Sequence, residues 1–152
     1  LGSVLGTIKD TVDAMRDEGL RIGVLGITCF RPWPAVAVRK ALQRAKRVVV
    51  LEKSLAVGMG GIVGNNVSAS FSGSPDRVHT VIAGLGGRSI TRGSLRRVFE
   101  QALTDSLEPL TFLDLDRALV DRVLERERVQ RRSGPIAEGI LKDLGVVAAK
   151  LG

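Results

Sequence analysis

Apolar positions Ile8, Val12 and Met15 recur at helical spacing, with Lys9, Asp10, Asp13, Arg16 and Asp17 opposite them. That stripe predicts an amphipathic helix. Residues 2–7 read as a strand-to-helix turn with Thr7 as the cap, and Gly19 stands where a left-handed C-terminal cap belongs. Residues 21–28 (RIGVLGIT) are almost continuously apolar over a strand's length, the pattern of a strand covered on both faces of a parallel sheet. Phe30, Arg31, Pro32, Trp33 and Pro34 break the pattern, because each proline fixes its own φ and biases the residue before it towards extended backbone. Pro34 then opens a helix whose face carries Val38, Leu42 and Ala45. Residues 47–52 (RVVVLE) are the clearest strand. Residues 54–66 read as a glycine-rich loop, leading into a weak helix or strand at 67–71. Residues 78–83 (VHTVIA) form a third strand, and a helix starting at 89–91 follows, with Leu95, Val98, Phe99, Ala102 and Leu103 on one face.

This alternation predicts an α/β domain over residues 1–108: a mostly parallel sheet with helices on both faces, joined by right-handed crossovers. Residues 109–152 read as a helical C-terminal extension. Leu119, Val120, Val123 and Leu124 begin one helix there, 133–135 break it, and Ile136, Ile140, Leu141 and Leu144 mark a last short one.

Composition narrows the function. The chain has 152 residues, enough for one domain with a sizeable core, and its aromatic content of 3% leaves that core to Val, Leu, Ile and Ala. The formal charge of +7 invites a nucleic-acid reading, but acids intervene among the arginines of 117–132 and rings for stacking are few. The expectation is therefore no nucleic acid, and a basic face that meets an acidic protein or solvent. A single cysteine, Cys29, excludes an internal disulfide or a cysteine-built cluster, and His79 alone is too little for a histidine metal site. No apolar run is long enough to span a membrane and no signal peptide stands at the start, so a cytoplasmic location is expected. The opening Leu-Gly-Ser suggests an excised piece of a longer chain.

Three glycine-rich turns are candidates for anion binding. Gly84, Gly86 and Gly87 with Arg88 lie directly between a strand and a helix, where backbone amides and a guanidinium can meet an anion. Close packing of helix on strand explains the same glycines. Residues 58–64 (GMGGIVG) resemble a stretched dinucleotide fingerprint, but they begin late after the strand and no acid follows at the position that holds a ribose. Residues 2–7 pose the same choice. Asn65 and Asn66 resemble part of a thiamine-diphosphate motif whose Gly-Asp-Gly half is missing. His79, inside an apolar strand, reads as a packed core residue, and Cys29 as a buried, inert thiol. No nucleophile, base and oxyanion hole assemble, so no catalytic residue is assigned.

The ordered landmarks resemble a known family. Gly2-Ser3 with Gly6-Thr7, then a helix ending at Glu18-Gly19, is similar to the opening of the second core domain of 2-oxoacid (pyruvate-type):ferredoxin oxidoreductase α subunits. Phe30-Arg31-Pro32-Trp33-Pro34 matches that family's Phe-Arg-Pro-Phe/Trp-Pro. Val48 to Ser54 resembles a strand that there usually ends in Asp-Arg, replaced here by Glu52-Lys53. Gly84-Leu85-Gly86-Gly87-Arg88-Ser89-Ile90-Thr91 is similar to Gly-Leu-Gly-Gly-Arg-Asp-Ile/Val-Thr, with Ser89 for Asp. The resemblance implies a three-layer, transketolase C-terminal-like fold. It further implies a structural, subunit-interface part in a thiamine-dependent enzyme that decarboxylates a 2-oxoacid, passes the acyl group usually to coenzyme A and sends electrons to ferredoxin. Thiamine diphosphate, Mg and the iron–sulfur clusters are then expected on other domains and subunits. The expected partners are an upstream thiamine-binding domain, a β subunit, and γ and δ subunits where the complex has them. Phe30, Arg31, Pro32, Trp33 and Pro34 are the candidate interface. The alternatives are a free-standing anion- or nucleotide-binding module and the C-terminal domain of another thiamine enzyme.

Overall fold

A computed structural model describes residues 2–71 and 75–130. Its elements in chain order are α1 (Val4–Asp17), α2 (Ala35–Leu42), β1 (Val48–Glu52), α3 (Ile62–Ser70), β2 (Val78–Ile82), α4 (Arg92–Leu103), β3 (Leu110–Phe112) and α5 (Arg117–Gln130). The chain divides after Leu115 into two compact units.

The first unit is built on a parallel sheet of order β1-β2-β3. Val48 pairs with Val78, Glu52 with Ile82, and Thr80 with Leu110. Successive residues of a strand face opposite sides, so β1 serves two cores at once. Val49 and Leu51 pack with Val81 against Val12 and Met15 of α1 and Leu95, Val98, Phe99 and Ala102 of α4. Val48 and Val50 pack with Val78 against Val38 of α2 and Val67 of α3, and Phe71 closes that side. Helices α1 and α4 thus cover one face and α2 and α3 the other, as the alternation of elements predicts. Burying each such aliphatic side chain contributes about 1.5–3 kcal/mol.

Several elements depart from expectation. Helix α1 starts at Val4, so Thr7 lies inside it, and its carbonyl accepts from the Thr11 hydroxyl at 2.7 Å. Residues 21–28 form no regular element and, among the described residues, pair with no strand. They are tied to α1 instead, by Arg16 Nε donating to the Ile22 carbonyl at 2.7 Å, and Val24 and Leu25 are exposed. An apolar run sets a preference for burial, but a strand also needs a neighbouring edge to receive its hydrogen bonds. Cys29, at the end of this run, is exposed rather than buried for the same reason.

Residues 62–70, expected as loop and weak structure, are a regular helix. Residues 110–112 form a strand beyond position 108, where the pattern put the domain's end; Thr80 N–H donates to the Pro109 carbonyl and Leu113 N–H to that of Ile82, both in line with the ladder. In the second unit α5 is helical as expected, capped by Asp116 accepting from Leu119 N–H at 3.0 Å. The expected last helix lies outside the described residues.

Candidate functional site

Ligands of open α/β sheets bind at the carboxyl ends of the strands, so those ends come first. Glu52 is the last residue of β1 and is buried. Its position follows from alternation: Val48, Val50 and Glu52 share one phase of the strand, and that phase faces α3. The carboxylate accepts from Val63 N–H and Gly64 N–H, each at 2.9 Å. These are free amides of the first turn of α3, whose N-cap Gly61 has no side chain to satisfy them. The approach is possible only without side chains. A Cβ on Gly61 would overlap the Glu52 carboxylate, and one on Gly64 would overlap the Thr80 hydroxyl.

The loop ahead of α3 is equally built. Ala56 and Gly60 exchange backbone hydrogen bonds at 2.8 Å, and Asn65 Nδ2 donates to the Met59 carbonyl at 2.6 Å. Val57 and Met59 project from it, 99% and 68% exposed. The 58–64 glycines therefore hold a carboxylate of the chain itself where a phosphate fingerprint would hold its anion, and Asn65 braces the loop.

The Gly84 turn follows β2. Gly84 and Gly86 take φ of 72° and 64°, the left-handed region open to glycine. Arg88 donates to the Asp114 carbonyl at 3.1 Å, so its guanidinium already has an acceptor within the domain. Thr91 caps α4, accepting from Ser94 N–H at 3.1 Å. The Ser94 hydroxyl donates to Asp114 Oδ2 at 2.5 Å, and Arg97 donates to Asp114 Oδ1 at 2.8 Å. Asp114, itself at φ 53°, thus clamps the loop after β3 onto the start of α4. Of the four anion candidates, Gly84 has the Lys53 side chain beside it, its Cε about 3.0 Å from where a Cβ would stand.

Between the strand ends and the start of α1 lies a cleft of about 140 Å³, lined by residues 2–4 and 51–53 with Ala83 and Ile90. Sites for drug-sized ligands and cofactors run to roughly 300 Å³ and above. The cleft admits a few waters or a small ion, not a dinucleotide.

The candidate interface residues form one corner. Trp33 Nε1 donates to Ser70 Oγ at 2.9 Å, and Arg39 donates to the Ser70 carbonyl at 2.8 Å, which pins the corner to the end of α3. Phe30 meets Trp33 edge-on with centroids 6.1 Å apart, and the Arg31 guanidinium lies 4.0 Å above the Phe30 ring. Arg31 and Pro32 are exposed, Trp33 and Pro34 half-buried. His79 is buried, with Nδ1 3.3 Å from the Glu108 carbonyl.

A family model described as pyruvate:ferredoxin oxidoreductase core domain II matches residues 1–95. The chain belongs to that family. It is 35% identical over 127 residues to the pyruvate synthase subunit PorA of Pyrococcus horikoshii, covering 79% of this chain and 32% of the relative. To PorA of Pyrococcus furiosus it is 36% identical over 104 residues, 67% of this chain and 26% of the relative. The ketoisovalerate oxidoreductase subunit VorA of Pyrococcus horikoshii is 29% identical over 102 residues, 66% of this chain and 26% of that subunit. The chain spans about a third or less of these curated relatives' length.

Among the described residues of this core domain II, the groups that could serve as donors lie apart rather than as a set for thiamine diphosphate or an iron–sulfur cluster. The lone thiol stands apart, the imidazole faces a backbone carbonyl, and Glu52 serves α3. Among the described residues no group of three His, Cys, Asp or Glu is placed to hold a metal, and no helix is long and apolar enough to cross a membrane. Sequence reasoning missed Glu52, Ser94 and Asp114. The readable signal for Glu52 was an acid in the buried phase of an otherwise apolar strand, followed by paired glycines.

Proposed function

We propose that this chain is a structural, subunit-interface domain of a thiamine-dependent 2-oxoacid:ferredoxin oxidoreductase in the cytoplasm. The observation that supports it best is how the strand ends are used. The amides of α3 are taken by Glu52, and the residues beside the Gly84 turn are clamped through Asp114. Glycines placed for ligand approach elsewhere serve packing here, within a domain of the pyruvate:ferredoxin oxidoreductase family. The apolar Val57 and Met59 on a hydrogen-bonded loop, and the exposed side of the 30–34 corner, are surfaces for neighbouring subunits.

On this reading the oxidative decarboxylation, the acyl transfer to coenzyme A and the electron transfer to ferredoxin proceed on groups held by the upstream domain and the β subunit, with γ and δ subunits where present. The test is to co-express the subunit that contains this chain with its partner subunits and assay viologen reduction with pyruvate and coenzyme A. Activity in a complex carrying thiamine and brown iron–sulfur absorbance is the expected result. A complex with neither cofactor overturns the reading.

A further inference from the structure

We infer that the outer face of α2 docks an acidic protein surface. Between Gly19 and Leu51 the chain has no Asp or Glu, and the seven bases there equal the whole formal charge of +7, the rest of the chain being balanced. The excess is thus concentrated on one stretch, and its densest part runs from the last turn of α2 into the connection to β1. Arg39, Lys40, Arg44, Lys46 and Arg47 follow one another within nine positions. Arg47 is paired with Asp105 at 2.7 Å and Arg39 with the Ser70 carbonyl, but among the described residues no carboxylate lies within ion-pair distance of Lys40, Arg44 or Lys46. Arg77 adds a further charge, donating to the Leu42 and Ala45 carbonyls at the end of the helix.

The chemistry of the face selects its partner. Val36 and Lys40, four residues apart, lie on one side of the helix, with Val36 77% exposed, and Arg44 follows in the turn after it. Ala37 and Ala41 stand beside them, also exposed. Cations set among small apolar groups suit a surface with carboxylates one helical turn apart and an apolar residue between, the mixed character of protein interfaces. A phosphate backbone offers no apolar counterpart to Val36. Nor is a ring free for bases to stack on, since Trp33 is bonded to Ser70 and Arg31 lies over Phe30. The occupant is an acidic face of another subunit, which rests on the proposed function.

The test uses the full subunit assembled with its co-expressed partner subunits, treated with a water-soluble carbodiimide that joins amines to carboxylates in direct ion-pair contact. Peptides linking Lys40 or Lys46 to an Asp or Glu of another polypeptide are expected. The K40R/K46R variant should lose the link and still co-elute. The K40E/R44E variant, checked for unchanged helicity, should weaken assembly about 10-fold or more at low salt, with the gap closing as salt rises. Lysines that stay unlinked, and are acetylated equally in the free subunit and the complex, overturn the inference while leaving the function intact. Salt-sensitive binding of a fluorescent DNA duplex, lost in K40E/R44E without effect on assembly, also overturns it. If the wild-type subunits do not assemble, the proposed function fails, and this docking surface with it.

Discussion

Replacing Glu52 measures what holds α3 in place. Its carboxylate accepts two amide hydrogen bonds at 2.9 Å in a buried setting, and bonds to a charged acceptor contribute about 1.5–3 kcal/mol each. Glu52→Gln keeps one oxygen and turns an NH₂ towards the second amide, so one bond is lost and two donors face each other. It also removes a negative charge from a helix N-terminus, which adds about 0.3–1 kcal/mol. The expected loss is about 2–4 kcal/mol. Glu52→Ala leaves both amides unpaired and should cost about 3–5 kcal/mol, a large part of the roughly 5–15 kcal/mol that holds an ordinary domain folded. With a urea slope of about 1–3 kcal/mol per molar, Glu52→Gln should lower the unfolding midpoint by about 1–2 M, read by far-ultraviolet circular dichroism. Hydrogen exchange gives the local reading: the Val63 and Gly64 amides should lose protection before those of β1 and β2. A midpoint matching wild type, with both amides still protected, refutes the argument.

Three further outcomes follow from the geometry. Gly64→Ala forces a methyl against the Thr80 hydroxyl, so it should destabilise by about 1–3 kcal/mol, and adding Thr80→Ala should recover part of the loss in a double-mutant cycle. Trp33→Phe removes the donor to Ser70 Oγ and should cost about 1 kcal/mol. Because Trp33 is this chain's one Trp and Tyr is absent, its emission should shift to the blue and resist quenching when a partner covers the 30–34 corner; an unchanged spectrum on assembly would remove that corner from the interface. The hydrogen bond from Arg96 holds Glu18 below the usual carboxylate range and links the end of α1 to α4. A carboxyl whose folded value is depressed contributes stability that is complete above its unfolded value and lost as pH falls through the folded one. Glu18→Gln should therefore separate from wild type above the ordinary Glu titration and converge with it in stronger acid, as seen in thermal melts across pH.

What the sequence showed of the fold depended on where each element finds its support. β1 and β2 were legible because Val48 to Leu51 and Val81 to Ala83 are apolar enough to demand burial, and α4 because Thr91 caps a clear apolar stripe. Helix α3 was not, since Ile62–Ser70 contains Gly64, Asn65 and Asn66 and takes its N-terminal support from Glu52, ten positions before its first residue. β3 is too short for alternation to register, and its evidence lies in pairing with β2. Residues 21–28 failed in the other direction, because an apolar run gives no sign of whether an edge is available beside it. The same held for the site. The glycines could be read, but whether their amides face a ligand or the chain's own carboxylate depends on a contact between segments, which no local pattern encodes.

The sheet register also bears on how the domain folds. Val48 meets Val78, and Thr80 meets Leu110, so each strand waits for a partner thirty residues further along the chain. Neither pairing can zip from a tight turn, and loop closure over such a span must precede its reward. Each crossover nevertheless contains a helix that packs back on the sheet, α3 on both β1 and β2, and α4, between β2 and β3, on Val81 of β2. Assembly by successive strand–helix–strand units is the economical route, with the β1–β2 pair and its helix as the first to condense. A nascent chain emerging from the ribosome could complete that first unit once residue 82 is clear, before α4 and β3 have been made.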